Sequence, residues 1–297
     1  MSDRSPGLLR TCRLAHPPGS HRAPGSAGGC SARASRRLAI AGLGSLLVLT
    51  LVMPPGAACA ATADAQSILA ASDAVRNPDR PFAVDVALIE YRDGRQTEGN
   101  SLEVASKADA TTGQYRSLIR FVAPVRDANK VMLKSGNDLW FYDPASKAGI
   151  RISPQQRLLG QASNGDVVTV NLARDYQATL VAEEDTSDGD RQIRRCYKLA
   201  LAATNADVTY FRIEMWIDVT NNRPVKARFH AESGRLLKTA YYRRYEKQLG
   251  AERPTETVII DGLDPKWVTI MRYSGYRWRE IPEAWLQREF LPQYRPQ

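Results

Sequence analysis

At 297 residues, 43% of them hydrophobic, the chain accommodates one large all-β domain or two ordinary ones. Its formal net charge of +9 sits mostly in the first 60 residues, which hold seven of the 41 Lys+Arg and one of the 32 Asp+Glu; the remaining 34 against 31 leave no nucleic-acid footprint to account for. Past residue 60 the only cysteine is Cys196 and the only histidine His230, which excludes an internal disulfide, a His-based catalytic triad and a multi-His metal site there.

The segment before Arg33 is rich in Gly, Pro, Ser and Arg, lacks periodicity and reads as a long disordered n-region or as the product of a start codon assigned too early. Residues 38–53, "LAIAGLGSLLVLTLVM", form an apolar run behind Arg33, Arg36 and Arg37, and Ala58 and Ala60 fit the small-x-small cleavage pattern. The run stops at Pro54-Pro55, short of the roughly 20 residues of a membrane anchor. This order predicts a secretory signal peptide cleaved near Ala60, a periplasmic destination, and a single domain over residues 61–297.

After the leader, "ADAQSILAASDAVRNP" places Ile68, Leu69 and Val75 on one helical face, and Asn77-Pro78 ends the helix. From Pro81 the period switches to two. "FAVDVALIEY" sets Phe82, Val84, Val86 and Leu88 on one side, and "YRSLIRFVA" sets Tyr115, Ile119 and Phe121 against Arg116 and Arg120. "DLWFYDP" is apolar on both faces, with Leu139 and Phe141 on one and Trp140 and Tyr142 on the other; Ile150 and Ile152 follow across a turn. "SPQQRLLG" carries Ser153 as an N-cap, Pro154 at the first helical position and Gly160 at the end, which predicts a short helix presenting Leu158 and Leu159, with Gly160 and Gly165 as flexible ends. Further on, "YFRIEMWIDV" aligns Phe211, Ile213, Met215 and Ile217, and "PVKARFHAE" aligns Val225, Ala227 and Phe229. "LLKTAYYRRYEKQ" is a basic strand with Tyr on both faces, and "IPEAWLQREFL" predicts a closing helix.

Turn signals at "RDGR" (92), "SGND" (135), "SDGD" (187), "TNNRP" (220) and "ESGR" (232) separate about ten to twelve antiparallel strands, too many for one flat sheet. The fold class is therefore mainly β, with a strongly curved sheet.

Chemistry for an enzyme is sparse. His230 falls on the polar side of a strand and Cys196 reads as a small core residue despite Arg194 and Arg195 beside it. The acidic runs at 183 and 188 read as solvated turns, and there is no Gly-rich phosphate loop, CxxC pair or HExxH motif, so neither cofactor nor metal is expected. Binding remains. Periodicity alone does not distinguish a filled core from an apolar container.

The ordered segments "GNDLWFYDP", "GIRIS", "QRLLG", "SNGD", "RDYQATLVAEE", "IRRCYKLAL", "MWIDVTNNRPVKARFHAESGRLLKT" and "IPEAWLQREFLP" resemble the outer-membrane lipoprotein-sorting family, the LolA-like periplasmic carriers. The resemblance spans about residues 80 to 295 and implies an unclosed half β-barrel with helices over its concave face. It implies an apolar cavity for lipid or lipoprotein acyl chains and a non-enzymatic carrier working as a monomer. An inner-membrane exporter of the RND type or an outer-membrane acceptor is the implied partner. On this basis Phe121, Trp140, Tyr142, Ile150, Ile152, Phe211, Ile213, Met215, Ile217 and Phe229 are the expected cavity wall, with Leu158 and Leu159 on a lid. A sensor on the same fold is the second expectation, and a lipid-modifying hydrolase a third that the histidine count disfavours.

Overall fold

The computed structural model describes residues 64–295, so the expected signal peptide lies outside the described residues. Helix α1 (Ala65–Arg76) starts where Asp64 accepts from the Ser67 N–H at 3.1 Å. It stops at Asn77, whose extended conformation is the one a following proline favours. Ile68 and Leu69 form its buried stripe.

Six strands follow as a meander: β1 (Phe82–Arg92), β2 (Arg95–Ala108), β3 (Tyr115–Ala123), β4 (Val131–Ser135), β5 (Asp138–Asp143) and β6 (Ala148–Arg151). The chain then forms a small ribbon, β7 (Arg157–Leu159) with β8 (Ala162–Ser163), and a single helical turn, α2 (Leu172–Asp175). A second meander runs through β9 (Tyr176–Ser187), β10 (Ile193–Ala203), β11 (Arg212–Asp218) and β12 (Pro224–His230). It continues in β13 (Leu236–Gln248), β14 (Ala251–Asp261) and β15 (Trp267–Trp278). Strand β15 pairs with β1, so the two meanders join into one antiparallel sheet of thirteen strands, in the order β6 to β1 and then β15 down to β9.

The edges β6 and β9 do not pair, and the sheet is an open, curled half-barrel. Register shifts at Ala83/Asp85, Ser101/Leu102, Lys198/Leu199 and Trp216/Ile217 insert the bulges that bend and twist such a sheet. Curling brings the β5–β6 end toward the β10–β11 loop, where Arg151 stands 3.8 Å from Asp207 and Gln155 Nε2 donates to the Val208 carbonyl at 2.6 Å.

Residues 152–175 must carry the chain from one edge of the sheet to the other, and they do so across the inner face. There Leu159, Ala162, Val167 and Val168 share one core with Ile68 and Leu69 of α1 and with the inner side chains of the strands, from Leu139 on β5 to Ala178 on β9. Among the described residues no helix is long and apolar enough to cross a membrane.

Two expected helices take other forms. Residues 153–160 are a turn leading into β7, because Gly160 adopts a left-handed conformation (φ 54°) that folds the chain back to pair Leu159 with Ala162. Too few residues precede that glycine to propagate a helical nucleus. Gly160 and Gly165 are close-approach positions, since a Cβ at either would lie within 2.3 Å of Thr269 or 2.0 Å of Thr209. The C-terminal segment is two 3₁₀ stretches, Glu283–Leu286 and Arg288–Gln293, broken by the extended Gln287.

That C-terminal segment packs on the outer face. Trp285, Leu286, Leu291 and Tyr294 cover Leu118, Val131, Leu133 and Tyr142 in a second core. The outer face is thus not simply wet: β3 to β5 are buried on both sides. A third cluster joins Cys196, Trp216 and Val225, the last turned outward where β12 carries an extra residue opposite β11.

Beside the second core, Glu103 accepts from Arg120 (2.8 Å) and Arg279 (2.6 Å) and pairs with Arg277. Burial raises its pKa, but the hydrogen bonds and charge of Arg120, with the charges of Arg279 and Arg277, outweigh it and hold the carboxyl below its ordinary value of 4.5. A depressed carboxylate adds stability that is complete above the unfolded pKa and lost as pH falls through the folded one. Denaturation of wild type and Glu103→Gln from about pH 7 to about pH 3 should therefore show the wild-type advantage shrinking below about pH 4.5. Parallel stability curves across that range refute the coupling.

Candidate functional site

Between the sheet and its cover lies a partly open cavity of about 120 Å³. Its floor comes from alternating inner positions of the second meander: Ile213, Phe229, Ala240, Ile259 and Met271. The roof is α1 with the crossover, through Arg76, Asp166, Val168, Val170 and Leu172, and the rim is Lys134, Asn137, Asn205 and Asp207 at the curled ends of the sheet.

A polar cluster crosses one end of this apolar space. Lys238, on the same face of β13 as Ala240 and Tyr242, is only 3% exposed. Its ammonium pairs with Asp166, donates to the Gln161 carbonyl at 2.8 Å and lies 4.9 Å from the Tyr210 ring. Burial pushes the Lys238 pKa down, against the opposing charge of Asp166.

Asp166 is held from two further sides: the Ser163 N–H donates to it at 2.7 Å and the Tyr210 hydroxyl at 2.7 Å. Burial, then the Asp166 charge, drives the Tyr210 pKa well up. Tyr176 donates to the Tyr210 carbonyl at 2.9 Å and closes the chain of contacts. Asp166 belongs to the crossover and Lys238 to the floor, so the pair fastens one to the other.

A second fastening ties α1 to the crossover. Gln66 Nε2 donates to the carbonyls of Ala173 (2.8 Å) and Tyr176 (3.1 Å), and Oε1 accepts from the Ala178 N–H at 2.9 Å. Asp73 accepts from the Ala173 N–H at 2.7 Å and pairs with Arg76, while Asn77 donates to the Val170 carbonyl at 2.9 Å. From the sheet, Arg253 donates to the Val75 carbonyl at 3.1 Å.

Of the residues expected from sequence, Ile213 and Phe229 line the cavity. Phe121, Met215, Ile217 and Leu159 are buried in the inner core beside it, and Ile152 and Leu158 pack against that core half-buried. Four expectations are corrected. Trp140 and Tyr142 face outward under the C-terminal segment, with the Arg288 guanidinium 3.9 Å from the Trp140 ring centre, because alternation along β5 assigns the inner face to Leu139 and Phe141.

Ile150 is 53% exposed on the short edge strand β6, beyond the reach of the cover. Phe211 is 43% exposed, since it precedes β11 and the neighbouring Tyr210 is the aromatic that turns in. Sequence reasoning missed Arg76, Asp166, Lys238, Tyr242 and Tyr273. For Lys238 a signal existed, as period two along "LLKTAYY" puts it in line with Ala240 and Tyr242.

Groups weighed as chemistry are elsewhere. Cys196 is fully buried and burial pushes its thiol up to about 12, so it is not a poised nucleophile. His230 Nε2 lies 3.3 Å from Glu214 on the polar side of β12. Among the described residues no group of three or more His, Cys, Asp or Glu side chains is placed to hold a metal ion.

Comparison with known proteins places this arrangement. A family model described as an uncharacterized protein matches residues 113–293. The crystal structure of a LolA superfamily protein from Nitrosomonas europaea is 32% identical; the match covers 76% of this chain and 99% of that one, with a TM-score of 0.68. A DUF1329 family protein from Desulfovibrio piger (22% identity, 76% and 97% coverage, TM-score 0.65) shares the fold. So does an outer membrane lipoprotein-sorting protein domain from Vibrio parahaemolyticus (18%, 77% and 98%, TM-score 0.64). None of the curated proteins matches the chain.

Proposed function

The chain belongs to the LolA superfamily, and from that premise we propose that it is a non-enzymatic periplasmic carrier, enclosing acyl chains of lipids or lipoproteins between membranes. The carrying observation is the apolar floor of Ile213, Phe229, Ile259 and Met271 under a roof fixed by a few replaceable polar contacts. An acyl chain of about sixteen carbons loses on the order of 10 kcal/mol when left in water, at ~0.8 kcal/mol per methylene, so a carrier must enclose it.

The space of about 120 Å³ suits a benzene-sized group, not a whole acyl chain. Loading on this reading lifts the crossover at its Asp166 end, which one ion pair and a hydrogen bond from Lys238 fasten to the floor. The export leader expected at residues 1–60 sends the chain to the periplasm, and an inner-membrane exporter or an outer-membrane acceptor is its partner there.

Ala240→Phe tests this, because the ring fills the cavity from its floor at an overpacking cost of about 1–3 kcal/mol. A fluorescent fatty-acyl probe should bind the variant at least about tenfold more weakly than wild type. Val122→Phe, at an exposed position, should leave binding unchanged. Equal affinity for wild type and Ala240→Phe, with the variant folded, removes the cavity as the binding site.

A further inference from the structure

The end of the cavity nearest α1 holds more hydrogen-bond donors than the protein uses. Arg76 is paired with Asp73 and donates to the Val170 carbonyl at 3.3 Å, yet its Nε is buried without a partner. Beneath it three hydroxyls stand side by side on the inner face. Tyr242 on β13 is the direct register partner of Thr257 on β14, Thr257 pairs with Met271 on β15, and Tyr273 lies two residues further along that strand. Thr257 Oγ1 and Tyr273 Oη are 3.5 Å apart, at the limit of a hydrogen bond, Tyr273 Oη also lies 4.0 Å from Met271 Sδ, and the Tyr242 hydroxyl has no hydrogen bond among the described residues.

Arg76, Tyr242, Thr257 and Tyr273 line both the main cavity and an adjoining one beneath α1 that reaches Phe82, Val84 and Tyr276. They mark the place where the two spaces meet. A purely hydrocarbon cargo leaves the Arg76 Nε and the Tyr242 hydroxyl without a partner, and an unsatisfied buried polar group such as that Nε is costly.

We propose that this cluster receives the oxygen of an acyl head, an ester or amide carbonyl or a free carboxylate, while the hydrocarbon tail lies along Ile213, Phe229, Ile259 and Met271. The inference rests on the carrier reading and names the class of cargo: acyl compounds inserted with the carbonyl end against α1. Asp73 balances the charge of Arg76, so a neutral carbonyl is accommodated as well as an anion. The guanidinium and the tyrosine hydroxyls supply a donor set that suits either.

The test uses three fluorescent probes on the full chain: cis-parinaric acid, its methyl ester, and diphenylhexatriene, a hydrocarbon with no oxygen. The variant is Tyr242→Phe with Tyr273→Phe, which removes two hydroxyls and leaves the apolar walls. Expected is a loss of about tenfold in affinity for the acid with diphenylhexatriene binding unchanged. A matching loss for the ester identifies the carbonyl as the recognised group, and a loss for the acid alone identifies the carboxylate. Equal affinity of wild type and variant for acid and ester overturns the head-group site and leaves the carrier reading intact. Wild-type binding of diphenylhexatriene without binding of acid or ester overturns the head-group site and the acyl cargo of the carrier reading together. Failure of all three probes to bind wild type overturns the carrier reading itself.

Discussion

Lys238→Met is expected to cost about 3–5 kcal/mol of folding stability, the range for removing one partner of a buried ion pair. The Lys238 side chain is 3% exposed and the neighbours of its ammonium are Asp166, the Gln161 carbonyl and the Tyr210 and Phe229 rings. Methionine fills the volume but leaves the half-buried Asp166 with only the Ser163 N–H and the Tyr210 hydroxyl to offset its charge.

Because Asp166 anchors the crossover, the loss falls on the contact between roof and floor. Urea denaturation with an unchanged slope and a lowered midpoint is the expected reading. Adding Asp166→Asn to Lys238→Met should cost less than the two single changes summed, since each removes the charge that the other strands. A Lys238→Met protein within about 0.5 kcal/mol of wild type means that the pair contributes nothing to holding the roof.

Gln66→Leu should release α1. The amide makes three hydrogen bonds to the backbone on either side of the α2–β9 junction, and leucine keeps the bulk while making none. Two carbonyls and one N–H then lose their partners, at about 2–3 kcal/mol once water reaches part of them. The loss is local, because the main core does not involve this side chain. Hydrogen exchange should accelerate by about 30- to 100-fold over α1 while the amides of β1 and β2 hold their wild-type rates. Uniform acceleration across the sheet would mean that α1 and the sheet open as one unit, and that no separable lid exists.

How far the sequence discloses this protein depends on the distance between cause and effect. Alternation in "FAVDVALIEY" is set by the two-residue repeat of a strand, and Phe82, Val84, Val86 and Leu88 are all buried on one face. Helix α1 was equally legible, since Ile68, Leu69 and the Asn77-Pro78 stop are local signals. In contrast, "DLWFYDP" has two apolar faces because the C-terminal segment, some 140 residues later, covers one of them. No local pattern tells Leu139 and Phe141 from Trp140 and Tyr142 as the cavity side.

The turn at 153–160 reads as a helix by its caps, but Gly160 packs against Thr269 on a strand more than 100 residues away. The polar end of the cavity was hidden for a related reason: a lysine in a basic strand advertises a wet face, and only its partner Asp166 makes burial tolerable.

The crossover between β6 and β9 has a mechanical meaning. Roughly 24 residues at up to ~3.4 Å each can reach about 80 Å. Thirteen strands spaced ~4.8 Å apart span about 58 Å even when laid flat. The connection therefore has slack to spare, and covalent length does not keep the sheet rolled. What resists unrolling is the adhesion of side chains, with Lys238 and Gln66 as its principal polar fasteners. The domain works as a clasp: its grip is a free energy that substitution can tune, and its widest opening is not limited by the strap.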